Sequence, residues 1–254
     1  MPNEIVSVPC LSDNFAYLVP GPGGTAALID APEAGPILAA LSERGWSLTE
    51  IWLTHHHDDH VQALPEIRSA HAAVVAGNGA DSGRLPPLDL PLTVGSGTTL
   101  MGHAASVIDV PGHTVGHVAF HVPALRAAFT ADSLMALGCG RLFEGTPEQM
   151  WASLSRLMEL PDETVIFQGH DYLDTNLRFA RDVGVATPEL EARATRIADW
   201  RARGVPMEAE TLAVEKATNP FLRAGLDETK AGLSMAGEDD AACFAELRRR
   251  RDGY

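Results

Sequence analysis

The segment Thr54–His60 constrains the fold of this chain more than any other. Its sequence, THHHDDH, places four histidines and two aspartates in seven positions, directly after the apolar run Ile51–Leu53. The apolar run predicts a buried strand, so the polar side chains leave the end of that strand together. A protein core could not satisfy so many imidazole and carboxylate groups unless a metal ion bound them. The segment therefore predicts a metal site at the edge of a sheet.

The spacing within this segment favours more than one ion. Zinc and iron bind imidazole nitrogen and carboxylate oxygen, and catalytic sites keep one position open for water. Side chains two positions apart in an extended chain point to the same side, so His55 and His57 can reach one ion. We expect Asp59 and His60 to turn toward a second ion. His56 and Asp58 are expected to face elsewhere, with Asp58 in solvent or beside a ligand histidine.

Three later loops carry further ligand side chains, each after a predicted strand. Their sequences are PGHTVGH at 111–117, TADS at 130–133 and QGHDY at 168–172. With Thr54–His60 they supply two ligand sets of comparable size and one carboxylate able to bridge them. The pattern therefore favours a two-metal site. His71, His103 and His121 stand alone, and we expect them to be capping or core residues.

The composition and charge exclude several classes of partner. The chain has 254 residues, of which 45% are hydrophobic, enough for one large domain or a domain with a small appendage. A net charge of -15 argues against nucleic acid or an anionic membrane as a partner. The sequence has no signal-peptide pattern and no apolar run of membrane-spanning length. Three widely spaced cysteines suit a reducing compartment, so we expect a cytoplasmic protein.

Two patterns divide the chain. In the first part, short apolar strands are predicted at 5–8, 16–19, 26–29, 51–53, 74–76, 106–109, 117–122, 127–130 and 165–167. Helices are predicted at 36–44, ending at Gly45, and from Thr146, whose TPEQ sequence is typical of a capping box. Later segments at 177–183, 189–203, 207–216 and 239–251 have helical patterns only. The chain is therefore predicted to be α+β, with a mixed domain at 1–172 and a small helical domain at 173–254.

The ligand residues resemble the signature of the metallo-β-lactamase superfamily. That signature is His-x-His-x-Asp-His followed by a distant His, Asp and His, and it is matched between about residues 50 and 173. The resemblance implies a four-layer αββα sandwich with the metals at one edge. It also implies a ligand assignment, with one ion bound by His55, His57 and His113, a second by Asp59, His60 and His170, and both bridged by Asp132. His117 is expected to support this site.

Within that superfamily the chain is similar to the hydroxyacylglutathione hydrolase, or glyoxalase II, family. The similar stretches are LSDNF at 11–15, GCGRLFEGT at 138–146, NPFLR at 219–223 and RRRRD at 248–252, so the similarity runs nearly end to end. It implies hydrolysis of S-(2-hydroxyacyl)glutathione thioesters, S-D-lactoylglutathione giving glutathione and D-lactate in the second step of methylglyoxal detoxification. It also implies a glutathione-binding helical domain and two divalent ions, zinc first, although this donor set also accepts iron or manganese.

The candidates for substrate binding are Arg141, Phe143, Tyr172, Arg248 and Arg251. A glutathione thioester is a net anion, so an acidic protein needs a concentrated basic pocket to hold it. Arg248 and Arg251 lie three positions apart near the end of the last predicted helix, so they share a face and complement the helix dipole. The family commonly has Lys at position 141 and Tyr at position 143. Because Phe143 lacks a hydroxyl, we expect Tyr172 to make that hydrogen bond to glutathione.

The expected mechanism needs no nucleophilic side chain. Two cations lower the pKa of a shared water from ~15.7 toward ~7, and the resulting bridging hydroxide attacks the thioester. Asp132 and Asp59 are the predicted catalytic carboxylates, and Cys139 is expected to be structural because no base accompanies it. We expect a monomer acting on a small molecule. The alternative is another enzyme of this fold acting on thiol compounds, such as a mononuclear-iron persulfide dioxygenase, which the helical tail disfavours.

Overall fold

The computed structural model describes residues 5–184, 187–205 and 207–254, and these residues form two compact units. The first unit comprises the described residues up to Asp109 together with Gly116–Ala131. The second unit comprises Val110–Val115 and the described residues from Asp132 to Tyr254. Each unit therefore contains one part of the predicted ligand set.

The described residues of the first unit contain a mixed sheet and an antiparallel set of strands. The mixed sheet consists of β1 (Val6–Cys10), β2 (Asn14–Pro20), β3 (Thr25–Ile29), β4 (Ser47–Leu53), β5 (Val74–Asn78) and β6 (Leu90–Leu92), in that order. Its strands are antiparallel from β1 to β3 and parallel from β3 to β6. The antiparallel set consists of β7 (Gly97–Leu100), β8 (His103–Asp109), β9 (Val118–Val122) and β10 (Ala127–Ala131). Because β3 and β4 are parallel neighbours, the residues after their carboxyl ends share one edge of the sheet.

Helices cover one face of the mixed sheet. The helices of this unit are α1 (Ala34–Arg44), α2 (Asp58–Val61) and α3 (Leu64–Ala70). Ile37 of α1 and Ile67 of α3 are fully buried in one hydrophobic cluster with Leu28 and Ile51 of the sheet. Helix α1 ends where predicted, at Gly45, whose φ of 63° is left-handed and therefore suits glycine.

Aromatic side chains fill the space on the opposite face of the same sheet. Trp52 of β4 meets Phe120 of β9 edge to face, with ring centroids 4.9 Å apart, and Tyr17 of β2 lies 5.9 Å from Phe129 of β10. Neighbouring residues of a strand point to opposite faces, so Ile51 packs on the helices while Trp52 packs on the second set of strands. Each such aromatic pair contributes about 0.5–1.5 kcal/mol beyond its area burial.

The second unit is largely helical. Its elements are β11 (Leu134–Met135), β12 (Gly138–Cys139), α4 (Pro147–Met158), β13 (Val165–Gln168), α5 (Leu173–Asp182), α6 (Pro188–Arg203), α7 (Leu212–Thr218), α8 (Asp227–Gly232) and α9 (Asp240–Asp252). The predicted capping box at Thr146 is confirmed, because its side chain accepts from Gln149 N and the Gln149 side chain accepts from Thr146 N. Among the described helices of the whole chain, none has the length and apolarity needed to cross a bilayer.

A buried ion pair joins two of these helices. Arg193 of α6 and Glu215 of α7 are each 1% exposed, and Nη2 of Arg193 donates to Oε1 of Glu215. Nη1 of Arg193 also donates to the Thr218 hydroxyl at 2.7 Å. Removing one partner of such a pair strands a charge in the interior, so both residues are needed for the helices to pack.

Most predicted elements are confirmed, and one predicted helix begins later than expected. The segment before Leu212 was predicted to be helical from Met207, but α7 begins only at Leu212. The reason is backbone pairing with β13: Ile166 N donates to Glu210 O at 2.9 Å, and Leu212 N donates to Thr164 O at 2.7 Å. These tertiary hydrogen bonds hold the segment extended against its local helix propensity.

Candidate metal centre

The first unit gathers four of the predicted ligands at the carboxyl end of β4. The ring centroid of His55 lies 4.8 Å from that of His57 and 4.2 Å from that of His60. His60 Nε2 lies 3.9 Å from Asp59 Oδ2. Helix α2 begins at Asp58, directly after His57. The helix itself was not predicted, and it supplies the change of direction that was expected after His57.

Asp30 supports these ligands and was not predicted. It follows β3 directly, is 3% exposed, and places Oδ2 2.9 Å from His60 Nδ1. Its carboxylate also accepts from the Thr54 backbone N–H and from the Thr54 hydroxyl, both at 2.8 Å. Thr54 Oγ1 in turn lies 3.0 Å from His55 Nδ1. A carboxylate directly after the predicted strand at 26–29 was the signal in the sequence.

Asn14, at the start of β2, holds a third ligand. Its side-chain amide donates to Asp59 Oδ2 at 3.0 Å and to the Asp59 carbonyl at 3.1 Å. Asn14 is 4% exposed, so this amide is shielded from water. It belongs to the LSDNF stretch, and the contact gives that stretch a physical role as a support for the Asp59 carboxylate.

The residues between the ligands behave as expected. Asp58 is exposed, and His56 Nδ1 lies 3.6 Å from Asp81 Oδ2, a carboxylate that also accepts from Arg84 Nε at 2.6 Å. His117 is fully buried and stacks on His55, with ring centroids 4.6 Å apart. This stacking fits the prediction that His117 supports the site.

The second unit brings its three predicted ligands together. Asp132 Oδ2 lies 3.3 Å from His113 Nε2 and 3.3 Å from His170 Nε2, and all three residues are buried. The backbone of Gly140 packs so tightly beside them that an added Cβ would lie only 1.9 Å from the Asp132 carbonyl oxygen. One carboxylate oxygen of Asp132 thus lies between the imidazole nitrogens of His113 and His170.

The donor groups fit a divalent metal. His60 Nδ1 bonds Asp30, and His113 Nδ1 lies 2.8 Å from the Arg141 carbonyl oxygen. Histidines that bind metals typically use their second ring nitrogen in this way, which fixes the ring and directs Nε2 to the ion. All seven predicted ligands offer nitrogen or carboxylate oxygen, a set accepted by zinc, iron and manganese.

Two exposed aromatic residues of the second unit lie against ligand histidines. Tyr172 stacks on His170, with ring centroids 5.0 Å apart and the rings nearly parallel. Phe143 contacts His113 edge to face at 5.3 Å, and the Arg141 guanidinium lies 5.9 Å from the Phe143 ring centroid. These predicted substrate contacts are therefore next to the ligands of their own unit.

Arg248 is more buried than a solvent-facing clamp would be. It is 5% exposed. It donates through Nη1 to the Cys139 carbonyl at 2.9 Å and through Nη2 to Asp252 Oδ1 at 2.8 Å. Its guanidinium also lies 5.3 Å from the Phe221 ring centroid. Its direct contact with substrate stays a prediction, but the side chain already ties α9 to β12.

Arg251 is half-buried and belongs to a group of positive charges. Its Nε and Nη2 each donate to Asn176 Oδ1 at 3.2 Å. Burial lowers the pKa of the Arg251 guanidinium, and the positive charges of Arg248 and Arg141 lower it further, against the opposing effect of Asp252. Arg141, Arg248 and Arg251 thus share one region with Asp252, an arrangement suited to holding an anion.

Cys139 does not have the properties of a nucleophile. Burial raises the pKa of its thiol to about 11, so it stays protonated near neutral pH. Its carbonyl and thiol lie against Arg248. The arrangement supports the structural role predicted for it.

The fold and the ligands define the class of protein. Residues 13–170 match the family model described as the metallo-beta-lactamase superfamily. ETHE1 from Myxococcus xanthus has a similar fold, with a TM-score of 0.67 and 24% identity, covering 97% of this chain and 90% of that chain. A di-iron-bound form of TTHA1623 is similar with a TM-score of 0.60 and 29% identity, covering 86% of this chain and 100% of that one. The α+β class and the metallo-β-lactamase fold expected from the motifs are thereby confirmed.

Comparison of the whole chain with known proteins identifies one family within this superfamily. Residues 171–254 match the family model described as the hydroxyacylglutathione hydrolase C-terminus. This chain is 54% identical to a protein of Ruegeria pomeroyi named hydroxyacylglutathione hydrolase, and the match covers 100% of both chains. It is 55% identical to a protein of the same name from Fuscovulum blasticum, over 98% of both chains. The chain belongs to the hydroxyacylglutathione hydrolase family. The family resemblance drawn from its motifs is confirmed.

Proposed function

We propose that this chain hydrolyses S-(2-hydroxyacyl)glutathione thioesters, converting S-D-lactoylglutathione into glutathione and D-lactate. The observation that carries the proposal is the family match of both parts of the chain, residues 13–170 and 171–254. In a cell this reaction is the second step of methylglyoxal detoxification. The substrate is a small molecule, and the net charge of -15 disfavours nucleic acid as a further partner.

The proposed cofactor is a pair of divalent ions, zinc first, with iron or manganese as alternatives. One ion would be held by His55, His57 and His113, the other by Asp59, His60 and His170, with Asp132 bridging. The nitrogen and oxygen donors support this assignment, as does the di-iron-bound form of the related TTHA1623. When bound, such ions supply hydroxide at neutral pH by lowering the pKa of water toward ~7.

Asp132 and Asp59 are the proposed catalytic carboxylates. Their oxygens would accept hydrogen bonds from the attacking water and orient it toward the thioester carbonyl. Asn14 supports this role, because its amide holds Oδ2 of Asp59 at 3.0 Å. The glutathione sulfur can leave as a thiolate, since thiols have a pKa near ~8.5, so no protein acid is needed.

Five residues are proposed to bind the glutathione moiety. Arg141 and Arg251 would pair with its carboxylates, each shielded charge-assisted bond contributing roughly 1.5–3 kcal/mol. Phe143 and Tyr172 would line the path to the ligands, with the Tyr172 hydroxyl donating to the substrate. For Arg248, the bonds to Cys139 and Asp252 support an added role in holding α9 in place.

The remaining assignments concern organisation and location. We place the domain boundary at residues 172 and 173, so that the helical domain at 173–254 binds glutathione. A monomer in the cytoplasm is proposed. The three cysteines, Cys10, Cys139 and Cys243, are buried free thiols, which supports a reducing compartment.

Metal analysis combined with a thiol-release assay tests the proposed function. The purified chain should contain two ions per molecule and release thiol from S-D-lactoylglutathione, losing this activity to a chelator and regaining it with Zn²⁺. His57→Ala should lose one ion, whereas His71→Ala, outside the ligand set, should keep both. A single iron with oxygen consumption would favour a persulfide dioxygenase, and an absence of thiol release would refute the proposal.

A further inference from the structure

The hairpin formed by β11 and β12 links two predicted functional residues. Asp132 precedes the hairpin and Arg141 follows it. Each of its strands has two residues, far too few for a hairpin to be stable by itself. The position of the hairpin must therefore be set by side chains from elsewhere in the second unit.

Gln168 contacts both this hairpin and a predicted metal ligand. Its Oε1 accepts a hydrogen bond from the backbone N–H of Ala136, in the turn of the hairpin. Its Nε2 donates to the backbone carbonyl of His170 at 2.6 Å and lies 3.4 Å from Met207 Sδ. Gln168 is 3% exposed, so water does not compete for these bonds. One amide thus connects the loop after Asp132 to the loop that carries His170.

Other buried side chains also hold the hairpin. Asn176 Nδ2 donates to the Ala136 carbonyl at 2.9 Å, and Glu215 Oε2 accepts from Leu137 N at 3.0 Å. Asn219 Nδ2 donates to the Gly138 carbonyl at 3.0 Å. These bonds account for the placement of the hairpin on the helices. Gln168 adds a bond to the backbone of a ligand residue, which a purely structural anchor would not need.

We propose that Gln168 is a positioning residue that fixes the separation of Asp132 and His170. The distance it controls is the 3.3 Å between Asp132 Oδ2 and His170 Nε2, the two ligand atoms that share one ion in the proposed centre. Both loops are short and irregular, so the two hydrogen bonds of one planar amide limit how far they can move apart. The inference rests on the proposed metal centre and extends it to a residue outside the ligand set.

Two substitutions separate positioning from folding. Gln168→Met keeps the length of the side chain but removes both the acceptor for Ala136 and the donor to His170. Gln168→Glu keeps an acceptor for Ala136 and places an oxygen against the His170 carbonyl, so it removes the second bond alone. Ile37→Val is the control, because it weakens the core of the first unit without touching either loop.

The readouts are the absorption spectrum of the Co²⁺-loaded enzyme and the kinetics of thiol release from S-D-lactoylglutathione. Residues that support metal ligands typically change affinity or activity by about 10–100-fold. Gln168→Met should therefore lower kcat by about tenfold or more, leave KM nearly unchanged and alter the Co²⁺ ligand-field bands. Gln168→Glu should change the same bands. Ile37→Val should lower the free energy of unfolding with the spectrum and kcat intact.

The outcomes distinguish the inference from the function on which it rests. If wild-type Co²⁺ enzyme released no thiol, the proposed function would fail first. If the wild type were active and both Gln168 variants kept its spectrum and kcat, Gln168 would have no positioning role. A loss shared equally by Ile37→Val would also overturn the inference, since general destabilisation would explain it. Should Gln168→Met not fold, Gln168→Glu decides by the same two readouts.

Discussion

Replacing Asp30 by Asn should weaken metal binding by reversing the proton preference of His60. Asparagine has the same size and tolerates the left-handed φ of 57° at this position. Its Oδ1 can still accept from the Thr54 backbone N–H. Its Nδ2, however, puts a donor where Oδ2 now lies 2.9 Å from His60 Nδ1. His60 must then accept at Nδ1 and carry its proton on Nε2, and a protonated Nε2 cannot bind a metal.

The size of the loss follows from the number of contacts that Oδ2 makes. Losing the partner of a metal-binding histidine typically costs about 10–100-fold in affinity, and each tenfold is about 1.4 kcal/mol. The Thr54 hydroxyl donates to the same Oδ2 at 2.8 Å, so it would also face a donor. Because Thr54 in turn contacts His55 Nδ1, two ligands are disturbed together. We therefore expect the upper half of that range, about 2–3 kcal/mol.

Competition with a chromogenic chelator measures this change as the zinc dissociation constants of wild type and Asp30→Asn. Asp81→Asn provides the matched control, because Asp81 is also a buried carboxylate but its Oδ1 accepts from Arg84 rather than from a predicted ligand. The control should keep wild-type affinity. Zinc binding by Asp30→Asn within about twofold of wild type would refute the reasoning, since the tautomer of His60 would then not depend on Asp30.

Four further predictions concern other contacts. Glu215→Ala strands the Arg193 charge in the interior and should lower the free energy of unfolding by about 3–5 kcal/mol in a urea titration; a loss under about 1 kcal/mol would contradict this. Cys139→Ala should keep turnover, because the thiol is protonated at neutral pH, and a metal-loaded but inactive variant would reverse that view. Burial raises the pKa of the Cys139 thiol from 9.0 to about 11, so the contribution of the protonated thiol to the free energy of unfolding is complete below pH 9 and is lost as the pH rises through about 11. Between pH 9 and 11, Cys139→Ala should therefore lose less stability than the wild type. Arg251→Ala should raise KM more at low than at high ionic strength while kcat changes little, and a salt-independent KM would argue against an anion contact.

Local patterns were sufficient to predict the cluster of imidazole and carboxylate side chains after β4 and the main elements. The density of imidazole and carboxylate groups at Thr54–His60 requires a common partner, whatever the tertiary structure. The end of α1 at Gly45 and the cap at Thr146 follow from backbone preferences that act within one helical turn. These features depend on residues near each other in sequence, so the sequence is enough to find them.

Supports formed by distant residues were not predicted. Asp30 meets Thr54 and His60 because β3 and β4 are parallel neighbours, a pairing that no local pattern determines. Gln168 meets Ala136 across 32 positions for the same kind of reason. Such contacts require knowledge of which strands and loops lie side by side.

The burial of Arg248 had a local signal that its basic neighbours concealed. Within a run of arginines the residue was expected to face the substrate. Phe244, Leu247 and Arg248 are spaced at i, i+3 and i+4, so they share one face of α9, and all three are buried. The helical spacing thus indicated the buried side, whereas the run of positive charges alone pointed to contact with the anionic substrate.

Gly140 limits where altered selectivity can evolve in this enzyme. A Cβ there would lie 1.9 Å from the Asp132 carbonyl oxygen and 3.1 Å from His113 Nδ1, so substitution at this position would displace two of the predicted metal ligands. Its neighbours differ, since the Arg141 side chain is 61% exposed and Phe143 is 60% exposed. In a mutational library across 140–143 selected on a new thioester, the active variants should differ at positions 141 and 143 and keep glycine at position 140. Adaptation to new thioesters would then be confined to the two exposed side chains.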